Sequence, residues 1–170
     1  VPAVGVMDML RYQTASLNAR KWSSDYGLSE NPDEFAALRA YSPYHNLRSG
    51  VCYPPVLVQA DANDDRVSAW HSYKYAAALQ AAQQAAPDCG HPALIRVETR
   101  SGHGAGASLS KTVNEYADQW AFVAAATGLL FGRFLKSGFF GNRSFFSISS
   151  QSRPRPLAST RVPRCTARTL

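Results

Sequence analysis

Three short apolar runs and three helical patterns organise the first 128 residues. Val56-Leu57-Val58-Gln59-Ala60 is β-branched and apolar and reads as a central strand. Ala93-Leu94-Ile95-Arg96-Val97-Glu98 reads as a second one. Between them, residues 68–86 are alanine-rich with high helix propensity and stop at Pro87. Residues 108–127 place Val113, Tyr116, Trp120, Ala121 and Ala124 at helical spacing, which predicts a helix with an apolar face. Upstream, Asn31-Pro32-Asp33-Glu34 is a helix start. It combines an Asn cap, proline in the first turn, and acids at the positive dipole end. That helix should run to about Tyr41 and stop before Pro43. Val1 to Val6 reads as a buried strand, and Trp22 and Tyr26, four apart, would share one helix face. Strands alternating with helices predict an α/β fold with a mostly parallel sheet flanked by helices.

The pattern fails after about residue 130. Residues 131–170 hold six of the eight phenylalanines, eight basic residues and no carboxylate, with glycines and prolines interrupting any period. The expected organisation is therefore a folded domain over 1–130 and a basic, disordered or non-native tail over 131–170.

Charge follows the same division. Residues 1–130 carry ten Lys/Arg against twelve Asp/Glu, and all of the net +6 comes from the tail. The body lacks the basic stripe that phosphate binding needs, so no nucleic-acid partner is expected. No run reaches the length of a membrane span, and no membrane partner is expected. The chain starts at Val1 inside an apolar run, which suggests a fragment. A cytoplasmic setting is the first expectation, with periplasmic or secreted as the alternative. Cys52, Cys89 and Cys165 form no C-x-x-C pair, so neither a zinc site nor a disulfide framework is expected, and no metal or cofactor is implied.

The chemistry sits at the two strand ends. Asp64 follows the first strand, and His103 follows the second, inside Gly102-His103-Gly104-Ala105-Gly106. A histidine acts as general base when a carboxylate holds its second ring nitrogen, fixing the tautomer and stabilising the imidazolium. Loops at the C-terminal edge of an α/β sheet share one crevice. The glycines would let the backbone carry the imidazole into a crowded site. Acid then histidine is the order in which α/β-hydrolases deliver the last two members of a triad. The first member is absent: no serine before Asp64 sits in G-x-S-x-G. Lys111-Thr112 ends like a phosphate loop, but Ala105 and Ser110 occupy its glycine positions. His45 and His71 read as packing or capping residues.

The residues resemble a known family. Val4-Gly5-Val6-Met7-Asp8-Met9-Leu10-Arg11-Tyr12, Trp22-x-x-Asp25-Tyr26-Gly27, Tyr41-Ser42-Pro43-Tyr44-His45-Asn46-Leu47, Ala60-Asp61-x-x-Asp64-Asp65-Arg66-Val67 and the Gly102–Gly106 loop are similar to the C-terminal part of prolyl oligopeptidase. The 39 residues from Asp64 to His103 agree with that family's acid-to-histidine spacing. The resemblance implies the C-terminal portion of an α/β-hydrolase fold. It implies a serine endopeptidase that hydrolyses short peptides on the C-terminal side of proline through an acyl-enzyme. By the same resemblance Asp64 is the triad acid and His103 the base. Arg66 would bond the substrate carbonyl beside proline, and Trp22 would stack on the proline ring. Tyr26, Val6 and Val67 would complete that pocket. The chain would need the upstream part of the catalytic domain and a β-propeller, and alone would be inactive. Two departures stand out: residues 13–20 are one longer than usual, and Asn63 replaces a usual histidine. Other α/β-hydrolases, a dipeptidyl peptidase or an esterase, and a non-catalytic fragment with a nucleic-acid- or lipid-binding tail, are the alternatives.

Overall fold

The computed structural model describes residues 1–100, 102–103 and 108–129, so the expectations for the tail at 131–170 lie outside the described residues. Its centre is a pair of parallel strands, β1 (Val56–Asp61) and β2 (Ala93–Glu98), in register from Val56 opposite Ala93 to Asp61 opposite Glu98. Parallel strands need a crossover, and helix α3 (Trp70–Gln84) supplies it. Alanine fills much of α3, which ends where Pro87 forbids continuation. One face of the sheet packs on this helix: Val58, Ala60 and Ile95 meet Ala76, with Val56, Tyr75 and Val97 around them.

The opposite face carries the register pair Gln59 and Arg96. Both reach helix α4 (Leu109–Ala126): Gln119 donates to Gln59 Oε1, and Arg96 Nε donates to Asp118 at 2.9 Å. Ser108 caps α4 by accepting from the Lys111 backbone N–H. The expected helix is there, yet its apolar face looks outward. Val113, Tyr116 and Trp120 are each more than half exposed, because the face turned to the sheet is the polar one. No helix among the described residues is long and apolar enough to cross a membrane.

The N-terminal third forms a second core. Helix α2 (Pro32–Tyr41) starts as the sequence indicates, with Asn31 Oδ1 accepting from Asp33 N. Its Leu38 packs with Met9, Tyr12 and Ala19, and Val6, Leu10, Ala15 and Trp22 surround them. The segment that carries Trp22 and Tyr26 is helical only in two short pieces. Trp22 ends a 3₁₀ turn (Ala19–Trp22), and only a single helical turn, α1 (Ser23–Tyr26), follows. Both rings still pack around Tyr12: Trp22 lies against the core cluster that contains it, and Tyr26 is T-shaped to its ring with centroids 5.5 Å apart.

The strand expected over Val1–Val6 is also corrected. The segment makes one parallel bridge, Ala3 to Gln59, with backbone bonds on either side of it. Val4 then adopts a φ of +43°, which an extended β-branched residue does not, and the pairing ends. The chain proceeds to Asp8, which is fully buried and joined to Lys74 of α3. Lys74 also lies over the rings of Tyr44 and Trp70. His71 is buried beside it, and its Nδ1 accepts the Asp8 backbone N–H at 3.2 Å. His45 Nδ1 is 2.8 Å from Ser42 Oγ. Both histidines thus serve packing and local hydrogen bonding, as the sequence indicates.

The cysteine expectation is overturned. Cys52 and Cys89 form a disulfide, with Cα atoms 5.4 Å apart. Parallel register is the reason: each cysteine lies four residues ahead of the paired residues Val56 and Ala93.

Candidate active site

The polypeptide leaves β1 through a tight turn in which Asp64 N donates to Asp61 O. Asp64 is buried, and its carboxylate is filled with donors. Oδ1 accepts the backbone N–H groups of Arg66 at 2.9 Å and Val67 at 2.8 Å, and Oδ2 faces His103 Nδ1 at 2.7 Å. A carboxylate that accepts two fixed backbone bonds cannot rotate away from its third partner. With Nδ1–H donated to Asp64, the Nε2 lone pair of His103 is left to accept a proton.

The next strand end holds the histidine in place. Ala62 N donates to Glu98 O at 2.8 Å, and Asn63 Nδ2 donates to Thr99 O at 2.9 Å. These bonds lace the acid-bearing turn to the chain that leads into His103. Gly102 is required for that approach, since a Cβ there would stand 2.9 Å from the Asn63 carbonyl oxygen. The sequence marks Gly102 by its place in the glycine loop, but nothing in it marks Asn63 as the group it approaches. Gly104 and Gly106 lie outside the described residues.

An open cleft of about 400 Å³ adjoins the pair, lined by Asn18, Lys21, Trp22, Asp65, Arg66 and His103. It gathers His103, Trp22 and Arg66 from the expected residues. Tyr26, Val6 and Val67 do not line it. Tyr26 stands against Tyr12 and Val6 against the Met9 core, while Val67 contributes its backbone N–H to Asp64. Asn18, Lys21 and Asp65 are additions. The segment that reads as one residue too long brings in Asn18, and Lys21 Nζ donates to Asn18 Oδ1 at 3.2 Å. The same segment is tied to the acid turn, because Ser16 Oγ donates to the Arg66 carbonyl at 3.0 Å. At the end of β1, burial pushes the Asp61 carboxyl above its ordinary range, with Glu115, Asp64 and Glu98 adding to the rise and Lys111 opposing it. Asp61 thus differs from Asp64 in surroundings although both are near the sheet edge.

A buried acid bonded to a half-buried histidine, beside an aromatic wall and the Arg66 guanidinium, can move a proton and hold a small polar-apolar ligand. Comparison with known proteins gives the family to which the chain is similar. The model of the prolyl oligopeptidase family, Peptidase_S9, matches residues 1–129. The chain is 46% identical over 129 residues to the prolyl endopeptidase of Elizabethkingia miricola, covering 75% of this chain and 18% of that protein. It is 46% identical over 125 residues to the prolyl endopeptidase of Dictyostelium discoideum, covering 73% and 16%. Among solved structures, a prolyl endopeptidase is 47% identical with a TM-score of 0.65, over 76% of this chain and 17% of that one. Prolyl oligopeptidase B from Galerina marginata, bound to a 35mer hydrolysis and macrocyclization substrate, is 36% identical with a TM-score of 0.66, over 75% and 17%. The chain thus spans less than a fifth of the length of these relatives. Over residues 1–129 it belongs to the prolyl oligopeptidase family of serine peptidases.

Proposed function

We propose that this chain is the acid- and histidine-bearing part of an α/β-hydrolase domain in a serine endopeptidase that cleaves short peptides after proline. The observation that carries the reading is the 2.7 Å contact between His103 Nδ1 and Asp64 Oδ2 at the mouth of the cleft. In the reaction, a serine hydroxyl attacks the carbonyl of the prolyl residue while His103 Nε2 takes its proton. His103 then returns that proton to the departing amine, leaving an acyl-enzyme that water hydrolyses by the same route. Asp64 holds the ring and stabilises the imidazolium. Trp22 offers an apolar face to a proline ring, which has no N–H to satisfy, and Arg66 donates to the peptide carbonyl beside it.

The serine comes from outside the 170 residues in this reading. No serine of the chain has glycine two positions before and two after it, the context in which a nucleophile elbow presents its hydroxyl. The chain by itself is then inactive, and the remainder of the catalytic domain and the propeller complete the enzyme.

The test joins this chain to the upstream part of its catalytic domain, as one polypeptide or by complementation. An N-blocked peptide with proline before a chromogenic amide is then supplied. Release of the chromophore is expected, and His103→Ala should abolish it. Cleavage only of peptides with a free N-terminus two residues from the bond would replace the reading with a dipeptidyl peptidase. Activity undiminished in His103→Ala would overturn it.

A further inference from the structure

Parallel pairing builds a second cluster at the edge of the sheet opposite the cleft. Cys52 and Cys89 meet there ahead of the pair Val56 and Ala93, and His91 follows Cys89 by two residues. His91 Nδ1 lies 3.5 Å from Cys52 Sγ, and the ligand-capable atoms of the three side chains lie within 4.8 Å of one another. Cys52 and His91 are exposed and Cys89 is half-buried, so solvent and solutes reach the group.

The distances suit a small soft cation. Tetrahedral zinc with Zn–S near 2.3 Å and Zn–N near 2.0–2.1 Å places a sulfur and a nitrogen ligand about 3.5 Å apart, and two sulfurs about 3.8 Å apart. His91 Nδ1 already stands at the first distance from Cys52 Sγ. The sulfurs can take up the second once their bond is reduced. Ligation through Nδ1 removes the proton that this atom now donates to the Tyr53 carbonyl at 2.8 Å. The carbonyl is not orphaned, because Gln83 Nε2 also donates to it at 3.0 Å. The same amide nitrogen donates to His91 O at 3.3 Å and lies 3.9 Å from Cys89 Sγ. Gln83 thus supports both a ligand sulfur and the backbone of the ligand histidine, as outer-shell groups of metal sites do.

We propose that Cys52, Cys89 and His91 form a redox-gated metal site, a disulfide when oxidised and a binding site for one Zn²⁺-like divalent cation when reduced. Two thiols of a glutathione-type reductant supply two electrons and two protons. The Cys52–Cys89 bond breaks to two thiols, and the reductant is released as its own disulfide. Metal binding then expels both thiol protons, and the imidazole keeps its remaining proton on Nε2. Water completes the coordination. The two states exclude each other, since sulfurs bonded to one another offer no thiolate. A reducing cytoplasm favours the metal form and an oxidising compartment the disulfide.

The test uses the full chain in a Cys165→Ser background, titrated with Zn²⁺ against a chromophoric chelator and with Co²⁺ as a spectroscopic probe. Reduced chain should bind one equivalent and show sulfur-to-cobalt charge-transfer absorption. Oxidised chain should show neither. Cys52→Ser or Cys89→Ser should weaken binding by more than roughly a hundredfold, and Gln83→Ala by roughly ten- to a hundredfold. His91→Ala keeps the disulfide, so it can be checked for unchanged circular dichroism when oxidised, and should bind more weakly when reduced. Equal Zn²⁺ affinity in oxidised and reduced chain would overturn the proposal, as would affinity indifferent to Cys52→Ser and His91→Ala. A reduced chain that binds no metal would do so as well.

Discussion

His103 Nδ1 lies 2.7 Å from Asp64 Oδ2, and the other oxygen of that carboxylate accepts the backbone N–H groups of Arg66 and Val67. This division of labour makes Asp64→Asn informative. Two backbone donors would hold the amide oxygen on their side and turn the NH₂ group toward the imidazole. Nδ1 would then have to accept, and the ring proton would move to Nε2, where the base must be free. In the completed enzyme kcat should fall by about 10⁴-fold with KM little changed. Nitrogen chemical shifts of the His103 ring should show the tautomer exchange in the chain itself. A kcat within about tenfold of the parent would sink the assignment of Asp64.

Much of this site is legible in the chain because strand ends and spacing carry it. The β-branched runs at 56–60 and 93–98 locate the sheet, and the acid and histidine each follow one of them into a shared crevice. Other features depend on proximity that no local pattern contains. Cys52 and Cys89 are 37 residues apart with no motif between them, and only the register of two parallel strands makes them neighbours. The run Val1–Val6 has the composition of a strand, yet composition does not report that Val4 takes a positive φ and ends the pairing after one bridge. Trp22 and Tyr26 have helical spacing, but the spacing does not report that the α-helix there is one turn long or that both rings pack around Tyr12. The burial of Asp8 is equally hidden, because its partner Lys74 arrives from a helix 66 residues away.

That pair yields a second prediction. Asp8 is fully buried, with Lys74 bonded to Oδ2 and Oδ1 without a hydrogen-bond partner among the described residues. Burial works against its ionised form, but the Lys74 hydrogen bond and the charges of Lys74, His45 and Arg11 outweigh it and hold the carboxyl below its ordinary range. Lys74→Met keeps a side chain of similar length and removes the charge that pairs with Asp8 and lies over Tyr44 and Trp70. Breaking a buried pair costs about 3–5 kcal/mol, and because Lys74 retains about a third of its exposure the cost here should be about 2–3 kcal/mol. Urea unfolding of Lys74→Met, Asp8→Asn and the double variant checks this through their coupling energy. A coupling below about 0.5 kcal/mol would show that the pair is not coupled.

His71 sets a pH dependence of definite sign. Burial pushes its imidazole down to about 4, with the Asp8 carboxylate opposing that shift and Lys74 reinforcing it. The folded chain therefore resists protonation that the unfolded chain accepts below about 6.5. Stability from this group is present in full above that value, declines as pH falls from about 6.5 to about 4, and is constant below. The difference amounts to about 3 kcal/mol. His45 is lowered by burial too, and adds a decline of the same sign. Asp8 acts elsewhere, since a depressed carboxyl loses its contribution only as pH drops through its own folded value. Urea midpoints measured from about pH 7.5 to about pH 4 should fall along this course, and His71→Gln should flatten most of it. An equally steep decline in the variant would assign the effect to other groups.

Gly102 gives the most local test of how the acid-bearing and histidine-bearing loops are joined. A methyl group there would meet the carbonyl oxygen of Asn63 at 2.9 Å, and that atom belongs to the backbone one residue before Asp64. The clash cannot be relieved by a side-chain rotation. Either the Asn63–Asp64 turn moves, or the chain entering His103 does, and each changes the distance between the acid and the histidine. Asn63 resists the motion through its bond to Thr99 O. Gly102→Ala should therefore cost about 1–3 kcal/mol of stability and lower kcat of the completed enzyme by more than about tenfold. Gly90→Ala is the control, because a Cβ there meets nothing within 4 Å. Combining Gly102→Ala with Asn63→Ala should restore little, since the obstructing atom is main chain. Full activity in Gly102→Ala would mean that the approach of these loops does not set the geometry of the pair.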